Sequence, residues 1–531
     1  MKRKIITNLI LTLAIFASAV ISPRNSENIE AIASTAIISE TSTATMNREM
    51  RGAWIATVLN LNMPSGMNEL EFRTWAEETV YYLYNHNFNT VIFQVRPTAD
   101  ALYSSEIVPW SHVITGSTQG TNPGYSPLGI MVETAHRFGM ELHAWLNPYR
   151  VSMPRANTAN FARNNVFHTN RDWVVEFDGQ YYLNPGIPAV REHLIDVVME
   201  IVDNYDIDAI HLDDYFFPYP VAGQTFNDAQ TFLRYGANYS NIGDFRRSSV
   251  TQFIRELYEE IKDAKYWVQL GISPFGVWRN VQSDPTGSNT RAGHESYSSL
   301  FADTRTWIQE GIIDYITPQL YWSTEFPVAN YNILLDWWAN EIETHATTRP
   351  VNLYIGLADY KLGTDANNDP QWRNPQEIAI QIGHNRENNT AQGQMHFSMR
   401  FLLENHRNYL TNIRTNLYNT KSLTPSFYWL NETLPRRATS VRASGSLAGV
   451  VLNIATNCDI TRRFVIYRFE GSEVGEFTDE NIHAIVHRNR EGNTVFTDRR
   501  STARTRYTYV VKAVSNAGVV NHDGVVLVVQ N

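Results

Sequence analysis

Short apolar segments alternate with longer amphipathic segments along most of this chain. Eight of the short segments are rich in Val, Ile or aromatic residues and indicate β-strands. They are RGAWIATVL (51–59), TVIFQVRP (90–97), ELHAWLNPYR (141–150), DAIHLDDYFFP (208–218), WVQLGISPFGVW (267–278), DYITPQLYW (314–322), VNLYIGLADY (351–360) and GQMHFSMR (393–400). Between them, stretches such as PAVREHLIDVVMEIVDNY (188–205) repeat apolar residues at helical spacing.

This alternation of strands and helices predicts an α/β domain over residues 48–430. Eight successive strand–helix units favour a closed (β/α)8 barrel, the TIM barrel. An open doubly wound sheet is the main alternative. That alternative is disfavoured because no glycine-rich phosphate loop follows the first strand.

The last segment, residues 436–531, has a different pattern. GVVLNIA, RRFVIYRFEG, NTVFTDRR and RYTYVVKAVSNAG alternate apolar and polar residues between turns, which is typical of a small antiparallel β-sandwich. The string YTYVVKAVSNAG resembles a fibronectin type III module, although the Trp expected in an early strand is absent. TLPRRATS is the expected linker. We expect a module with its own core that serves as a spacer or in cell-wall association.

The N-terminus, MKRKIITNLILTLAIFASAVIS, has a basic start, an apolar run and a small-residue stretch. This arrangement predicts a cleaved signal peptide over residues 1–22; the alternative, an uncleaved anchor helix, needs about 20 apolar residues. Residues 23–47 are rich in Ser, Thr and Ala and are expected to form a disordered leader. The single cysteine, Cys458, fits a bacterial exported protein, either extracellular or cell-wall associated.

The net charge of the chain excludes some classes of binding partner. The formal net charge is −10 at pH 7 and the isoelectric point is about 5.9, so there is no basic surface for a polyanion. We therefore expect no nucleic-acid partner. We also expect no stable membrane insertion once the signal peptide is removed.

The strands carry a phase that separates apolar from polar side chains. In the fourth strand Ile210 and Leu212 would face the helices, so His211, Asp213 and Tyr215 would face the barrel axis. Other side chains expected on the axis side are Gln94, Arg96, His143, Trp145, Asn147, Gln319, Tyr321, His396, Ser398 and Arg400, with Met395 and Phe397 facing outward. Polar groups thus collect near the C-terminal ends of the strands, where barrel enzymes have their active sites.

Carboxylates, amides, an arginine and aromatic rings together are typical of a sugar-binding site. Planar polar groups bind hydroxyls, and aromatic faces cover the apolar side of the ring. The predicted substrate-binding residues are Gln94, Arg96, His143, Trp145, Asn147, Arg150, His211, Tyr215, Gln319, Tyr321 and Trp322.

Glycosidic cleavage uses two carboxyl groups, and Asp213 is the best-placed candidate. Asp214 is adjacent and should point away if the strand continues. Glu325, Asp359 and then Glu295 are the other candidates for the second acid. The alternative hypothesis is a barrel that binds glycan without cleaving it, and a second carboxylate at the sugar site would distinguish the two.

A metal site was weighed against these roles. His143, His211, Asp213 and His396 could converge on a cation, but no HxH or HExxH spacing supports it. We therefore expect neither a metal nor another cofactor.

Eight strings in order resemble the glycosyl-hydrolase-like family 10 of secreted bacterial proteins. They are RGAWIATV, FQVRPTADALYSSEIVPWS, HAWLNPYRV, YYLNPGIPAVREH, IDAIHLDDYFFPYP, GISPFGVWRN, ITPQLYW and LYIGLADYKL, and they span about residues 50–410. The resemblance implies a TIM barrel and a glycoside hydrolase acting on a polysaccharide, with bacterial cell-wall glycan as the favoured substrate. It implies acids at Asp213 and Asp214, and pocket residues at Arg96, His143, Asn147, Arg150 and Gln319.

Overall fold

A computed structural model describes residues 36–38, 48–446 and 448–531. The strands are β1 (Ala36–Ile38), β2 (Met50–Ile55), β3 (Thr90–Arg96), β4 (Glu141–Leu146), β5 (Val174–Phe177), β6 (Gln180–Leu183), β7 (Ala209–Leu212), β8 (Gln269–Ile272), β9 (Tyr315–Ile316), β10 (Asn352–Leu357), β11 (Ala391–His396), β12 (Ser440–Ser446), β13 (Gly449–Ala455), β14 (Thr461–Glu470), β15 (Ile482–His487), β16 (Thr494–Asp498), β17 (Arg506–Ser515) and β18 (Val520–Gln530). The expected signal peptide lies outside the described residues.

The helices alternate with the strands through the first domain. They are α1 (Glu69–Asn85), α2 (His112–Thr115), α3 (Pro127–Arg137), α4 (Val166–Thr169), α5 (Pro188–Asn204), α6 (Ala229–Tyr235), α7 (Ile242–Lys265), α8 (Ser296–Ser299), α9 (Thr304–Glu310), α10 (Tyr331–His345), α11 (Glu377–Glu387), α12 (Met399–Glu404) and α13 (Tyr409–Asn416). Within the described ranges, none of them is both long and apolar enough to cross a bilayer.

Eight parallel strands close into a barrel in the order β2-β3-β4-β7-β8-β9-β10-β11, with β11 paired to β2. Each of the eight predicted strand segments contributes one of them, so the predicted (β/α)8 barrel is confirmed and the open sheet is wrong. Leu142, Ala144 and Leu146 of β4 pack into the apolar layer beneath the helices. Burial on both faces explains the nearly continuous apolar runs.

Local sequence signals set where the helices begin. Asn68 caps α1: its side chain accepts the Glu71 N–H at 3.0 Å, and the Glu71 carboxylate accepts the Asn68 N–H at 2.9 Å. The helix α5 begins at Pro188, where the missing N–H would have had no helical partner. These starts fix the lengths of the loops that leave the strand ends.

The connection between β4 and α5 contains a hairpin, β5 and β6, that the sequence analysis did not predict. Its strands are only four residues long and mix polar with apolar positions, so they show no distinct period. The hairpin lies along the chain after β4, where Leu183 N–H donates to Tyr149 O at 2.8 Å. It thereby fixes the backbone next to Arg150, which forms a bridge with Tyr182.

Two strands depart from the expected phase. In β11, Met395 packs inside the barrel and Phe397 contacts the interior rings, while His396 faces the outer layer. In β3, the register shifts between Gln94 and Arg96, so Arg96 pairs beside Leu146 rather than pointing to the axis. Alternation gives the period of a strand, but a β-bulge or an apolar barrel interior decides which face is inside.

The C-terminal module forms two antiparallel sheets, β12-β13-β16 and β1-β18-β17-β14-β15. Leu452, Tyr509 and Leu527 belong to its own apolar core, which confirms a small all-β domain after the barrel. The fibronectin type III resemblance stays a prediction. Strand β1 falls within the expected disordered leader, and these three residues instead pair with the free edge of β18.

The module is docked against the end of the barrel opposite the mouth. Arg463 donates to Glu141 at 2.7 Å, and Arg462 donates to Asp208 at 2.9 Å. Glu141 begins β4 and Asp208 directly precedes β7, so the module covers the N-terminal ends of the barrel strands. An apolar cluster that includes Leu423 and residues of β14, β15 and β17 completes this contact.

Candidate active site

Asp213 lies at the C-terminal mouth of the barrel, directly after β7. Its Oδ2 accepts a hydrogen bond from Asn147 Nδ2 at 2.9 Å. Its Oδ1 accepts from the Asp214 N–H at 2.9 Å and from Gln319 Nε2 at 3.3 Å. Three donors on one carboxylate hold it in a single orientation.

Asp214 does not point away from Asp213, as strand alternation had suggested. Strand β7 ends at Leu212, and the chain turns so that the Phe216 N–H donates to the Asp214 carbonyl at 3.0 Å. The two carboxyl groups then come within hydrogen-bonding reach of each other. The Tyr219 hydroxyl donates to Asp214 Oδ2.

The contact between the two carboxyl groups separates their proton affinities. Burial, followed by the negative charge of Asp213 and the hydrogen bond with it, raises the pKa of Asp214 well above its usual value. The Tyr219 hydrogen bond and Arg150 oppose this rise without overcoming it. Two neighbouring carboxylates disfavour each other's ionisation, so Asp214 keeps its proton to a higher pH than an isolated aspartic acid does.

Arg150 forms one wall beside the acid pair. Its guanidinium stacks on the Tyr215 ring, with 4.4 Å between the guanidinium carbon and the ring centroid. The Asp214 charge, followed by burial, raises the pKa of Tyr215, so this hydroxyl keeps its proton. The sequence analysis assigned both residues to the substrate site, and the structure places both beside Asp214.

Two amide side chains connect Asp213 by hydrogen bonds to the loop between β2 and α1. Gln94 Nε2 donates to Asn147 Oδ1 at 2.7 Å, which leaves Asn147 Nδ2 free to donate to Asp213. Gln94 Oε1 accepts the backbone N–H groups of Thr57 and Val58 at 2.9 and 2.8 Å. Each amide orientation is therefore set by its partners.

Phe397 is the centre of an aromatic floor in the mouth. Its ring centroid lies 6.0 Å from that of Trp54, 6.5 Å from Trp145 and 6.2 Å from Tyr321. Burial, then Tyr360, then the charge of Asp213 raise the pKa of Tyr321. Tyr321 thus links the floor electrostatically to the acid pair.

Trp322 belongs to the outer rim of the mouth rather than to its floor. It is half-buried and packs edge-on against Phe275, with ring centroids 5.5 Å apart. Phe275 also contacts Tyr219, the hydrogen-bond partner of Asp214. A sugar chain entering the mouth would meet this rim beside the acid pair.

The other candidate acids have different surroundings. Glu325 is exposed in the loop after β9. Asp359 is buried and accepts hydrogen bonds from His396 at 3.0 Å and Tyr409 at 2.9 Å, in the outer layer. Glu295 accepts bonds from its own loop. None of these three acids bonds to Asp213 in the described contacts, although the charges of Asp359 and Asp213 both act on Tyr321.

His143, His211 and Arg96 lie deeper than the sequence suggested. Both histidines are fully buried below the mouth, and each bonds to the Tyr315 hydroxyl at 2.9 Å. Arg96 is also fully buried, and it donates to the backbone carbonyls at the end of β4. All three are interior residues in this structure, and their role as sugar contacts stays a prediction.

The barrel histidines do not converge with Asp213 on a cation position, because His396 bonds to Asp359 and the other two bond to Tyr315. Elsewhere in the described chain, His136, Asp208 and His487 lie close together. The two imidazole rings are stacked with centroids 3.9 Å apart and planes 10° from parallel. Parallel rings aim their lone pairs side by side, so this cluster does not form a coordination site.

The sequence matches the Glycosyl hydrolase-like 10 family over residues 49–374. The chain belongs to this family. Glycosyl hydrolase YngK of Bacillus subtilis is 41% identical over 88% of this chain and 91% of its own length. Glycosyl hydrolase DigH of Escherichia coli is 37% identical over 61% of this chain and 76% of its own length.

Solved structures resemble the chain weakly. An endo-beta-1,4-mannanase from Thermotoga petrophila aligns with a TM-score of 0.40 and 10% identity, over 92% of this chain and 98% of that chain. A likeness this weak says nothing about the substrate of this chain.

Sequence reasoning missed three residues of the mouth. Tyr219 is not among the predicted site residues, although its hydroxyl donates to the Asp214 carboxylate. Phe397 was placed on the outer face, and Trp54 was not considered. The signal for Phe397 existed in the alternation of β11, but no local feature says which face of that strand is inside.

Proposed function

We propose that this chain is an exported glycoside hydrolase that cleaves O-glycosidic bonds of bacterial cell-wall glycan. The observation that carries the proposal is the Asp213–Asp214 carboxyl pair above an aromatic floor. Membership of a glycosyl hydrolase-like family supports the reaction class. The N-terminal sequence supports export, and the carboxyl pair supports a substrate that carries 2-acetamido groups, as cell-wall glycan does.

The spacing of the pair limits how it can work. Glycosidases that use a separate nucleophile or base place their carboxyls about 5–5.5 Å or about 6.5–9.5 Å apart. Asp213 and Asp214 are consecutive residues whose side chains interact directly, so both carboxyls lie in the same part of the mouth. They therefore lie on one side of the scissile bond, and the nucleophile comes from elsewhere.

Cell-wall glycan supplies such a nucleophile itself, because each of its sugars carries a 2-acetamido group. Asp214 gives its proton to the leaving oxygen while the acetamido oxygen bonds to the anomeric carbon. The Asp213 carboxylate accepts the acetamido N–H. Water then attacks the anomeric carbon, gives a proton to Asp214 and releases the acetamido group, so the configuration is retained.

The test is incubation of the full chain with purified cell-wall glycan strands, with and without peptides, followed by mass analysis of released fragments. We expect cleavage of N-acetylated strands and at least a hundred-fold slower cleavage of the same strands after chemical de-N-acetylation. Equal rates on both would exclude the acetamido nucleophile.

Asp213→Asn is the matched variant for this test. The amide keeps the shape of the side chain but loses the charge, so hydrolysis should be abolished while glycan binding and folding persist. The alternative, a non-catalytic glycan-binding barrel, is favoured by the absence of a distant second carboxyl among the described contacts of Asp213. It would be the correct account if the parent chain bound strands and released no fragments.

A further inference from the structure

A line of buried polar side chains runs along the barrel axis from the C-terminal module to the mouth. His143 Nε2 lies 3.1 Å from Glu141 Oε2, and His143 Nδ1 lies 2.9 Å from the Tyr315 hydroxyl. The same hydroxyl lies 2.9 Å from His211 Nδ1, and His211 Nε2 lies 3.1 Å from Trp54 Nε1. We call these five residues the axial relay.

The proton positions in the axial relay follow from its upper end. The indole N–H of Trp54 can only donate, so His211 Nε2 must accept and its proton sits on Nδ1. That Nδ1–H donates to the Tyr315 oxygen, and the Tyr315 O–H then donates to His143 Nδ1. His143 consequently carries its proton on Nε2 and donates it to Glu141.

The lower end of the axial relay is closed by the C-terminal module. Glu141 Oε1 accepts from Arg463 at 2.7 Å and from the Thr424 hydroxyl at 2.6 Å. Burial alone would raise the pKa of Glu141, but Arg463 and then His143 outweigh it and lower the pKa to about 2. Arg463 therefore keeps a carboxylate at the foot of the relay.

The upper end of the axial relay reaches the acid pair. The hydroxyl of Ser273 lies 3.0 Å from His211 Nε2, and its backbone carbonyl accepts Gln319 Nε2 at 2.9 Å. The same Gln319 amide nitrogen donates to Asp213. Trp54, held by His211, contacts Phe397 of the aromatic floor.

We propose that Arg463 is a positioning residue for the mouth, and that the C-terminal module acts on the barrel through it. The Arg463 cation holds Glu141 ionised, and the ionised Glu141, which can only accept, keeps from the lower end the same hydrogen-bond direction that the Trp54 indole N–H sets from the upper end. That direction sets the tautomer of His211, which in turn holds Trp54 and Ser273 beneath Asp213. The kinetic part of this inference rests on the proposed hydrolysis.

Reversal of the axial relay would put two donors in conflict. If Glu141 took up a proton and donated it to His143, the Tyr315 O–H would turn toward His211. His211 would then carry its proton on Nε2 and would face the indole N–H of Trp54. Two N–H groups cannot satisfy each other, so the floor of the mouth would shift.

The first test is the side-chain NMR spectrum of the full chain labelled with ¹⁵N and ¹³C at histidine. We expect the parent to show His211 with its proton on Nδ1 and His143 with its proton on Nε2. A charged His143, or the opposite tautomer of either ring, overturns the proposal. Tyr315→Phe keeps the ring but breaks the relay, and should change both histidine signals.

The second test compares Arg463→Met, Arg463→Lys and Arg462→Met. Arg462 is the matched control, because it is equally buried in the same interface but its acid, Asp208, does not bond to the axial relay. Arg463→Met should change the signals of His143 and His211 and lower kcat on the order of ten-fold with little change in KM. Arg463→Lys should restore the signals and most of the rate. Arg462→Met should change both much less than Arg463→Met does, because Asp208 acts on Glu141 only through its charge.

The outcomes separate this inference from the proposed function. Equal losses from Arg463→Met and Arg462→Met, with unchanged histidine signals, would mean that Arg463 only holds the interface together. The histidine spectrum decides the matter without turnover, so a parent chain that cleaves no glycan would refute the hydrolase and still test the relay. If Arg463→Met does not fold, the parent tautomers and Tyr315→Phe still test the direction of the axial relay, and Arg463→Gln tests the role of the charge.

Discussion

At the scale of single residues, the chemistry of the mouth depends on where one strand ends. Because β7 stops at Leu212, the backbone turns and two consecutive acids meet instead of facing opposite ways. Asp213 is held by three donors, whereas Asp214 accepts a single bond from Tyr219 beyond its contact with Asp213. The two acids thus have unequal surroundings, and burial together with the contact with Asp213 raises the pKa of Asp214.

The raised pKa of Asp214 predicts how stability and activity depend on pH. A carboxyl that gains proton affinity on folding stabilises the fold most below its unfolded pKa, near 3.8, and loses that contribution as pH rises through its folded pKa. Activity should fall over the same alkaline range, because the acid loses its proton. Rate and urea-unfolding profiles from pH 4 to 9 measure both.

Asp214→Asn is the control for that profile. The amide resembles the protonated acid and still accepts from Tyr219, so the variant should lose hydrolysis and also lose this part of the pH dependence of stability. A variant that unfolds with the same pH dependence as the parent would show that Asp214 does not hold the proton.

At the scale of elements, aromatic side chains near the strand ends differ in function: some pack in the interior and others are accessible at the rim. Trp145 in β4 is 4% exposed and lies in the interior cluster, whereas Trp322 beyond β9 is half-buried at the rim. Large aromatic residues appear at both places in the sequence, and only their burial separates packing from access to a sugar.

Replacing the two tryptophans separately tests this division. Trp145→Ala should cost about 3–5 kcal/mol of unfolding free energy, because it empties a buried space. Trp322→Ala should lower glycan affinity several-fold with a small change in Tm. Calorimetry measures the change in stability, and isothermal titration with short glycan fragments measures the change in affinity. If Trp145→Ala mainly weakened binding and Trp322→Ala mainly lowered stability, Trp145 would be the sugar contact and Trp322 the packing residue.

At the scale of the whole molecule, the C-terminal module supplies positive charges that pair with acids buried in the barrel. The module has its own core, yet two of its arginines neutralise Glu141 and Asp208, which are buried in the barrel. A sequence that reads as a separable domain thus forms a shared ionic interface.

Removal of residues 436–531 should therefore destabilise the barrel. Each buried acid left without its arginine costs about 3–5 kcal/mol, unless it takes up a proton. We expect the truncated chain to have a clearly lower Tm than the barrel within the full chain, measured by calorimetry. A truncated barrel of unchanged Tm would mean that the interface contributes little to stability. Arg442→Met in the full chain is the control, because the Arg442 side chain is exposed on the module.

The sequence by itself determined the eight barrel strands and their order, the all-β module and the place of Asp213 at a strand end. These follow from local periodicity, because a strand or helix buries one face whatever its neighbours are. Tertiary structure decided the inward face of β11, the bulge that turns Arg96, the contact of Asp214 with Asp213 and the docking of Arg463 on Glu141. In each case a residue is positioned by partners on another strand, at a strand end or in another domain. A local sequence pattern does not specify such partners.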